Sequence, residues 1–535
     1  MRSVGLLQES SAEEKEKVCN QCRANASLIK SKFGFAGYDL SSQLDSQSIS
    51  AVEEHLKSVT PENFQEFKLE GIGLGVLALY EFLLQHKKSD LKFNAQEWWH
   101  YLGFLRNTLF SFYAGRTILE KEKPSAVLTY NNLYAVNSVV CQLAEKRGVP
   151  SFNIVAGPSL RNRLQGLLIG RGNWYELMKH LKARWPTEKN IPCSQAELDA
   201  VTEHFLELFK GRHVLAYSSP KEENPPDIRE IFGIKKSQKV LLAALSSQDE
   251  FIAAEKAGLI PINRPLLFSN DIDWIKALIK FVRNRPDLFL IIRVHPREFP
   301  NKREGQKSQH AEQLERELQN LPANVRVNYP ADNLSLYNIA GEADVLLNCW
   351  SSVGKELALL GTPVVIYSDM VILYPADLNF MATTETEYFR TIDVAIASGW
   401  DFERVRKAFR WHALEYYRSV LDISDSCHLV EYPPGILQRA LRKVAQKVDP
   451  LYLQKRDLNH RVREMRVKSK INAIVDQKLL SVLDSKDLRR EHPSLDEETR
   501  LIKNELRRIT QALYPQGEKT TVGRPLNNEL KKGVQ

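Results

Sequence analysis

Cysteine is scarce in this chain, and long apolar runs are missing. Six cysteines among 535 residues do not make a disulfide framework, which favours a reducing compartment. No segment reaches the ~18 consecutive apolar residues that a membrane-spanning helix needs. Polar residues 8–11 occupy the place where a signal peptide would have its apolar stretch. We therefore expect a cytoplasmic protein without a transmembrane segment.

Metal-binding patterns are also scarce. Cys19 and Cys22 form one CxxC motif without a second pair, whereas a structural zinc site needs four ligands. Zinc or redox chemistry and an incidental pair are both open interpretations of this motif. Four further candidates lack partners at metal-ligand spacing: His213, His310, His412 and His428. No D-x-D motif has a plausible strand context, so we predict no metal and no cofactor.

Length and composition predict a globular protein with more than one domain. Apolar residues make up 43% and charged residues 26% of the chain, the balance of a folded protein. A chain of this length exceeds one ordinary core, so two domains of about 200 residues plus further elements are expected. We predict an N-terminal domain over residues 1–225, a second domain over residues 226–440 and a tail over residues 441–535.

The excess of positive charge lies in the last of these regions. The whole chain has 74 basic and 66 acidic residues, and residues 441–535 contain 22 and 13 of them, a balance of +9. Apolar positions between residues 458 and 482 approximate one helical face, and Ser494 and Glu497 form a capping box. We predict a basic helical tail. It would either contact an anionic membrane surface or pack as a helical hairpin on the enzyme or a partner.

The middle of the chain alternates short apolar runs with amphipathic segments. After a mostly helical start, residues 126–155 read as a strand, a helix and a strand, and a second series over residues 239–367 follows the proline-rich stretch at 224–226. Parallel strands joined by helices imply doubly wound sheets that bind ligands at the strand carboxyl ends. We predict an α/β protein of the GT-B type. It has two Rossmann-like domains facing each other across a cleft, plus a helical C-terminal extension.

The most informative stretch is a hydrophobic strand that ends abruptly in His295 and Pro296. Because Pro296 cannot continue a ladder of backbone hydrogen bonds, the imidazole is placed at the carboxyl edge of the sheet. Arg293 and Arg297 flank it, and both can donate charge-assisted hydrogen bonds to phosphate or carboxylate. We predict that this stretch binds an anionic group.

A second motif follows a later strand. Ser351, Ser352 and Gly354 stand at the start of a predicted helix, where free backbone N–H groups and the helix dipole favour an anion. Lys355 follows, and Glu356 lies about one turn inside the helix, where it is placed to accept hydrogen bonds from ribose hydroxyls. The alternative is that a serine merely caps the helix and Glu356 suits its first turn.

These motifs together resemble the bacterial capsule and surface polysaccharide biosynthesis family, which includes retaining Kdo transferases. The resemblance covers residues 239–374, through R-x-H-P-x-E at 293–298 and S-S-V-G-K-E with its following G-T-P-V. It implies a GT-B fold whose C-terminal lobe holds a nucleotide-sugar donor and whose N-terminal lobe holds an acceptor glycan. Kdo transferases use CMP-Kdo, so a CMP-sugar is the favoured donor.

The resemblance also implies roles for particular residues. His295 and the hydroxyls of Ser351 and Ser352 would face the donor phosphate, and Glu356 would face ribose. Tyr374 lies where the family lines its donor pocket, although a surface loop is the alternative there. The predicted donor-binding set is Arg293, His295, Pro296, Arg297, Ser351, Ser352, Gly354, Lys355, Glu356 and Tyr374. A weaker likeness reaches the edge of the first sheet and suggests an acceptor-side set, Tyr130, Asn131 and Asn132.

Some enzymes of this family use an acidic residue after the first strand of the second lobe as nucleophile. Asp249 and Glu250 stand nearest that position here. A carboxylate there would attack the anomeric carbon or act as a base, while a solvated loop acid is the alternative. We predict that Asp249, Glu250 and His295 are the catalytic residues.

Two other functions fit parts of the sequence. Phosphotransferases that use CDP-glycerol also place His and Ser-Ser near a nucleotide, but their loop usually continues with acidic and aromatic residues where this chain has V-G-K-E. A non-catalytic scaffold that binds membrane or nucleic acid would use the basic tail, yet its 13 acidic residues argue against nucleic acid. The expected partners are a nucleotide-sugar, a glycan or glycolipid acceptor, and the inner membrane face as a peripheral contact.

Overall fold

The computed structural model describes residues 11–33, 37–211, 226–260, 266–301, 305–424, 467–484 and 492–514. The strands are β1 (Val127–Tyr130), β2 (Ser151–Ala156), β3 (Gly166–Arg171), β4 (Lys239–Ala244), β5 (Leu288–Arg293), β6 (Val325–Asn328), β7 (Val345–Asn348), β8 (Val364–Ile366), β9 (Phe380–Met381) and β10 (Leu421–Asp422).

The helices surround these strands. They are α1 (Ala12–Phe33), α2 (Ser46–Ser58), α3 (Leu74–His86), α4 (Ala95–Glu122), α5 (Ala135–Lys146), α6 (Trp174–Glu188), α7 (Gln195–Phe209), α8 (Ile228–Phe232), α9 (Gln248–Lys256), α10 (Asp271–Arg283), α11 (Gln309–Glu317), α12 (Leu336–Ala340), α13 (Val353–Leu359), α14 (Glu385–Ser398), α15 (Phe402–Ala413), α16 (467–476) and α17 (Leu495–Leu513). No helix among the described residues is both long enough and apolar enough to cross a bilayer.

The first sheet has the order β1-β2-β3-β10 and is mixed. β1 and β2 are parallel and joined by α5, as the sequence predicts, while β3 runs antiparallel to β2 and β10 runs antiparallel to β3. Because β10 lies near the end of the second α/β series, the chain crosses back to the first sheet after α15. The lobe built on this sheet is called the first lobe, and residues 37–211 supply most of it.

The second sheet is entirely parallel, with the order β6-β5-β4-β7-β8-β9. Counted from β4, this is the order 3-2-1-4-5-6 of a doubly wound dinucleotide-binding sheet, whose switch point lies between its first and fourth strands. β5 and β7 are buried along their whole length, because helices cover both faces. The lobe built on this sheet, residues 226–413, is called the second lobe. Its switch point lies between the carboxyl ends of β4 and β7.

The lobes contact each other at two places. Near the switch point, α9 packs on α3, and Ile252 and Ala253 of α9 join the core of the first lobe. On the other side, α7, α15 and α17 share one apolar core that includes Phe205 and Leu506. The predicted α/β class, with Rossmann-like lobes and a helical C-terminal extension, is confirmed.

The described part of the predicted basic tail packs against both lobes. In α17, Glu498 is fully buried and accepts hydrogen bonds from Arg410 Nε (2.9 Å) and Cys193 N (2.8 Å). Ile474 of α16 is buried against the first sheet. Residues 467–484 hold three Lys and two Asp, and residues 492–514 hold four basic and four acidic side chains. All but one unit of the tail's excess positive charge therefore lies outside the described residues.

Candidate active site

At the switch point of the second sheet, the loops that follow the two bordering strands contact each other. After β4, Ser246 Oγ accepts a hydrogen bond from Trp350 N, 3.2 Å away on the loop after β7. Trp350 stacks on Phe251 of α9 with ring centroids 4.6 Å apart and planes inclined by 28°. The two loops that border the expected ligand crevice are thus held together by a hydrogen bond and an aromatic pair.

Asp249 and Arg297 form a buried ion pair beside this point. Arg297 Nε lies 3.1 and 2.9 Å from the two Asp249 carboxylate oxygens, and Nη2 lies 2.9 Å from Oδ2. Their side chains are 2% and 6% exposed. Burial raises the pKa of Asp249 to about 7, although the Arg297 charge acts in the opposite direction. The predicted anion-binding arginine and one predicted catalytic acid are therefore partners.

His295 lies at the end of β5 and leads into a single 3₁₀ turn that begins at Pro296. Its Nδ1 accepts a hydrogen bond from Arg297 N at 3.2 Å. Burial, and then the charges of Arg297, Arg293 and Lys87, lower the pKa of His295 to about 3. The ring is therefore neutral at physiological pH and carries its proton on Nε2, so it can donate a hydrogen bond to an anion.

Arg293 has a different environment from its neighbours in the motif. It is buried and donates to the Asn328 side chain of β6, and Asn328 in turn donates to Asp332 at 2.8 Å. Burial lowers the pKa of the Arg293 guanidinium to about 10, which leaves it charged at neutral pH. Arg293 thus adds positive charge near His295 from within the sheet.

The loop that holds the two serines is fixed from behind by Tyr374. Asn348 Nδ2 donates to Ser351 O and to the Tyr374 hydroxyl, both at 2.9 Å. A Cβ on Gly354 would lie 1.9 Å from that hydroxyl, so only glycine permits this approach. Ser351 Oγ accepts from Val353 N at 3.4 Å, and Ser352 is exposed. The structure therefore brings together Ser351, Gly354 and Tyr374, which the sequence had placed in one donor-binding set.

Lys355 and Glu356 lie inside the second lobe. Lys355 forms an ion pair with Glu415, and Glu356 accepts a hydrogen bond from the Tyr337 hydroxyl at 2.8 Å. Both side chains are buried, and desolvation raises the pKa of Glu356. The protein's own groups hold these two side chains, and a ribose contact by Glu356 stays a prediction.

The predicted acceptor-side residues lie at the carboxyl end of β1, as expected. Tyr130 is 61% exposed, and Asn131 has a left-handed backbone with φ of 50°. Asn132 is buried; its backbone N–H donates to Asn153 Oδ1 (3.2 Å) and its Nδ2 donates to Gly172 O (3.1 Å). Tyr130 is therefore the member of this set with the most exposed side chain.

Residues that sequence reasoning missed reach the site from the first lobe. Lys87, at the end of α3, is buried, and its Nζ donates to Arg297 O (2.6 Å) and Gln306 O (2.9 Å). Ser89 and Asp90 share hydrogen bonds of 2.9–3.1 Å with the side chain of Gln309. No sequence motif marks these residues, because their partners lie more than 200 positions away.

Within the described ranges, no group of three or more His, Cys, Asp or Glu side chains is placed to hold a metal ion. The charged groups described above are paired with each other, with backbone carbonyls, or with the neutral side chains of Asn328 and Tyr337.

Comparison with known proteins gives a fold likeness only. No protein-family model matches the chain, and no curated protein matches it. Solved structures with partial similarity include a beta Kdo 2,4 transferase, KpsC, of Thermosulfurimonas dismutans (13% identity, 54% of this chain and 80% of that chain, TM-score 0.33). A UDP-GlcNAc 2-epimerase of Methanocaldococcus jannaschii (15%, 58% and 79%, TM-score 0.29) and an alpha,alpha-trehalose 6-phosphate synthase of Burkholderia multivorans (12%, 69% and 80%, TM-score 0.29) are further examples. Overlaps of this extent carry no argument about function, which rests on the site itself.

Proposed function

We propose that this protein is a metal-independent glycosyltransferase that transfers a sugar from a nucleotide-activated donor to a growing surface glycan or a lipid-linked acceptor. The observation that carries the proposal is the cationic edge of the second sheet. There, the charges of Arg297, Arg293 and Lys87 all act on His295, whose ring is neutral, next to the switch point of a sheet ordered 3-2-1-4-5-6. Sheets of this order bind nucleotides at their switch point.

The chemistry of this edge suits a phosphate group. A neutral imidazole with its proton on Nε2 donates a hydrogen bond without needing to be charged, while the three nearby cations favour a negative ligand. The serine loop after β7 brings Ser352, an exposed residue, to the same edge of the sheet. Positive charge placed where the sugar–phosphate bond breaks would stabilise the departing nucleotide.

The donor is proposed to be a CMP-sugar, with CMP-Kdo as the first candidate. This choice rests on the motif resemblance of His295, Pro296 and the serine loop to Kdo transferases. A CDP-glycerol-type phosphotransferase would use the same edge for its nucleotide but would move a phosphate group instead of a sugar. The identity of the transferred group therefore separates these two chemistries.

The test is a transfer assay followed by mass spectrometry. Purified full-length protein is incubated with CMP-, UDP-, GDP- and CDP-linked donors and a panel of glycan and glycolipid acceptors. We expect one donor family to release its nucleotide and one acceptor to gain the mass of one sugar residue. His295→Ala and Ser352→Tyr should abolish transfer, whereas Arg326→Ala, an exposed arginine on β6 of the same sheet, should not. A mass gain of glycerol phosphate, or no turnover of any donor, would contradict the proposal.

A peripheral contact with an anionic membrane surface is proposed for the basic residues of the C-terminal region. Because α17 is part of the core, deleting residues 441–535 would disturb the fold itself. Neutralising the eight Lys and Arg between residues 441 and 466 tests the charge without removing α16 or α17. We expect this change to reduce co-sedimentation with vesicles that contain anionic lipid, and unchanged co-sedimentation would refute the membrane contact.

A further inference from the structure

Asp249 and Glu250 are adjacent in sequence but have opposite environments. The Asp249 carboxylate is 2% exposed, and both of its oxygens are held by Arg297. The Glu250 side chain is 48% exposed and lies 3.8 Å from Arg297 Nε, with a hydrogen bond from the Ser247 hydroxyl. The two acids therefore differ in their access to a ligand.

The charge of Glu250 acts on two tyrosines of the first lobe. Burial, with a further contribution from the negative charge of Glu250, raises the pKa of both Tyr80 on α3 and Tyr175 on α6. The ring of Tyr134 lies 6.4 Å from that of Tyr80, and its side chain is 42% exposed. Because α9 packs on α3, Glu250 lies where the two lobes meet, in the neighbourhood of phenol groups that can donate and accept hydrogen bonds.

An aromatic pair lies at the same junction of the lobes. Phe251 follows Glu250 directly and stacks on Trp350, and both of these rings are partly exposed. Partly exposed aromatic rings and a carboxylate at one junction offer an apolar surface for the C–H faces of a sugar ring and an acceptor for its hydroxyl groups. This combination suits a hydroxyl-bearing carbohydrate better than a second phosphate, since a carboxylate repels an anion.

We propose that Glu250 faces the carbohydrate acceptor and takes the proton from its attacking hydroxyl, whereas Asp249 is a positioning residue that holds Arg297. The inference rests on the proposed function. The acceptor oxygen forms a bond to the anomeric carbon, the bond from that carbon to the nucleotide phosphate oxygen breaks, and this oxygen leaves with the electron pair. The hydroxyl proton passes to the Glu250 carboxylate.

Asp249 is poorly suited to the alternative role of nucleophile. To attack the anomeric carbon, it would have to give up its contacts with Arg297 and leave a buried guanidinium without its partner. A covalent sugar on Asp249 would lead to retention of the anomeric configuration, whereas a single displacement assisted by Glu250 leads to inversion. The Kdo transferases that the motifs resemble are retaining, so the inference departs from them in its stereochemical course, and the configuration of the product is one readout of it.

The test compares matched carboxylate variants in the transfer assay. We expect Glu250→Gln to lower kcat by about 10²-fold or more, with the KM for the donor changed less than about twofold, and Glu250→Asp to recover part of the loss. Asp249→Asn should mainly raise the donor KM, because Arg297 loses its anchor. Glu255→Gln, on the same helix and partly exposed, is the control and should behave as the wild type.

Three results would overturn the inference. They are full activity of Glu250→Gln, a product with retained configuration, and a sugar attached to Asp249 in the mass spectrum of the stopped reaction. Wild-type transfer is measured in the same series. Absence of transfer in the wild type would overturn the proposed function and this inference with it, whereas a failure of the inference alone shows only in the variants and the product.

Discussion

Replacing Lys87 tests whether the first lobe shapes the phosphate-binding edge of the second. The Lys87 ammonium is buried and donates to the carbonyl oxygens of Arg297 and Gln306 at 2.6 and 2.9 Å. The backbone of Arg297 also donates to His295 Nδ1. A change at Lys87 is therefore transmitted to His295 through two consecutive hydrogen bonds.

The expected loss follows from these contacts. A hydrogen bond from a charged donor contributes about 1.5–3 kcal/mol, so two of them contribute about 3–6 kcal/mol. Lys87→Met keeps most of the apolar stem and removes the cost of taking an ammonium out of water, which offsets part of this sum. We expect a net loss of about 2–4 kcal/mol in the free energy of unfolding and about a tenfold weaker nucleotide affinity, equivalent to ~1.4 kcal/mol.

The assay is urea denaturation of the full-length protein combined with nucleotide titration. Lys88→Met is the control for nucleotide binding, because Lys88 pairs with Glu97 (3.0 Å) inside the first lobe. This pair is largely buried, so its loss also lowers the free energy of unfolding, but the nucleotide affinity should stay that of the wild type. Equal unfolding midpoints for Lys87→Met and the wild type would refute the structural role. A destabilised Lys87→Met that binds nucleotide as the wild type does would refute the link to the site.

Three further changes have defined outcomes. Gly354→Ala should lower the free energy of unfolding by about 1–3 kcal/mol, because its Cβ overpacks against Tyr374, and should weaken nucleotide binding. Gly103→Ala, with open space at its Cβ, should instead stabilise the protein by about 0.5–1 kcal/mol. Equal effects of the two changes in denaturation curves would contradict this. Glu498→Gln should lower the free energy of unfolding by about 3–5 kcal/mol because it breaks a buried pair with Arg410, while Glu497→Gln, in an exposed pair with Arg500, should cost about 1 kcal/mol or less. Equal losses for the two variants would show that the buried pair does not anchor α17. The pKa of His295 is about 3 in the folded protein against 6.5 ordinarily, so the unfolded state binds more protons between these pH values and the free energy of unfolding should fall as the pH drops from 6.5 towards 3. In His295→Gln the unfolding midpoint should fall less steeply with pH. The same dependence of the midpoint on pH in variant and wild type would refute the assigned environment of His295.

The sequence predicts the second lobe more fully than the first. Buried parallel strands are nearly continuous apolar runs, so β4, β5 and β7 can be recognised within one or two residues of their ends. The antiparallel strands β3 and β10 cannot be recognised from apolar runs in this way. β10 has two residues, too few for any periodicity, and its pairing is decided by the return of the chain to the first sheet.

Long-range partners are the other part that the sequence does not reveal. The pattern of α17 suits a membrane surface, a solvated hairpin or a packed helix equally well. The structure selects the packed arrangement because Glu498 finds Arg410 at a separation of 88 residues. The motif around His295 likewise indicates an anion site from sequence alone. The environment that distinguishes Asp249 from Glu250 does not follow from the sequence, because it depends on Arg297, 48 positions from Asp249, and on the tyrosines of the first lobe.

The central claim, that the switch point of the second sheet binds a nucleotide-activated sugar, is tested most directly by thermal unfolding of the purified protein with CMP, CDP, UDP, GDP and their sugars. A ligand present at 100 times its dissociation constant should stabilise the fold by about 2.7 kcal/mol. We predict saturable stabilisation by one nucleotide family, with CMP species first, that is lost in His295→Ala and kept in Arg326→Ala. Stabilisation by no nucleotide, or stabilisation that His295→Ala leaves intact, would contradict the account.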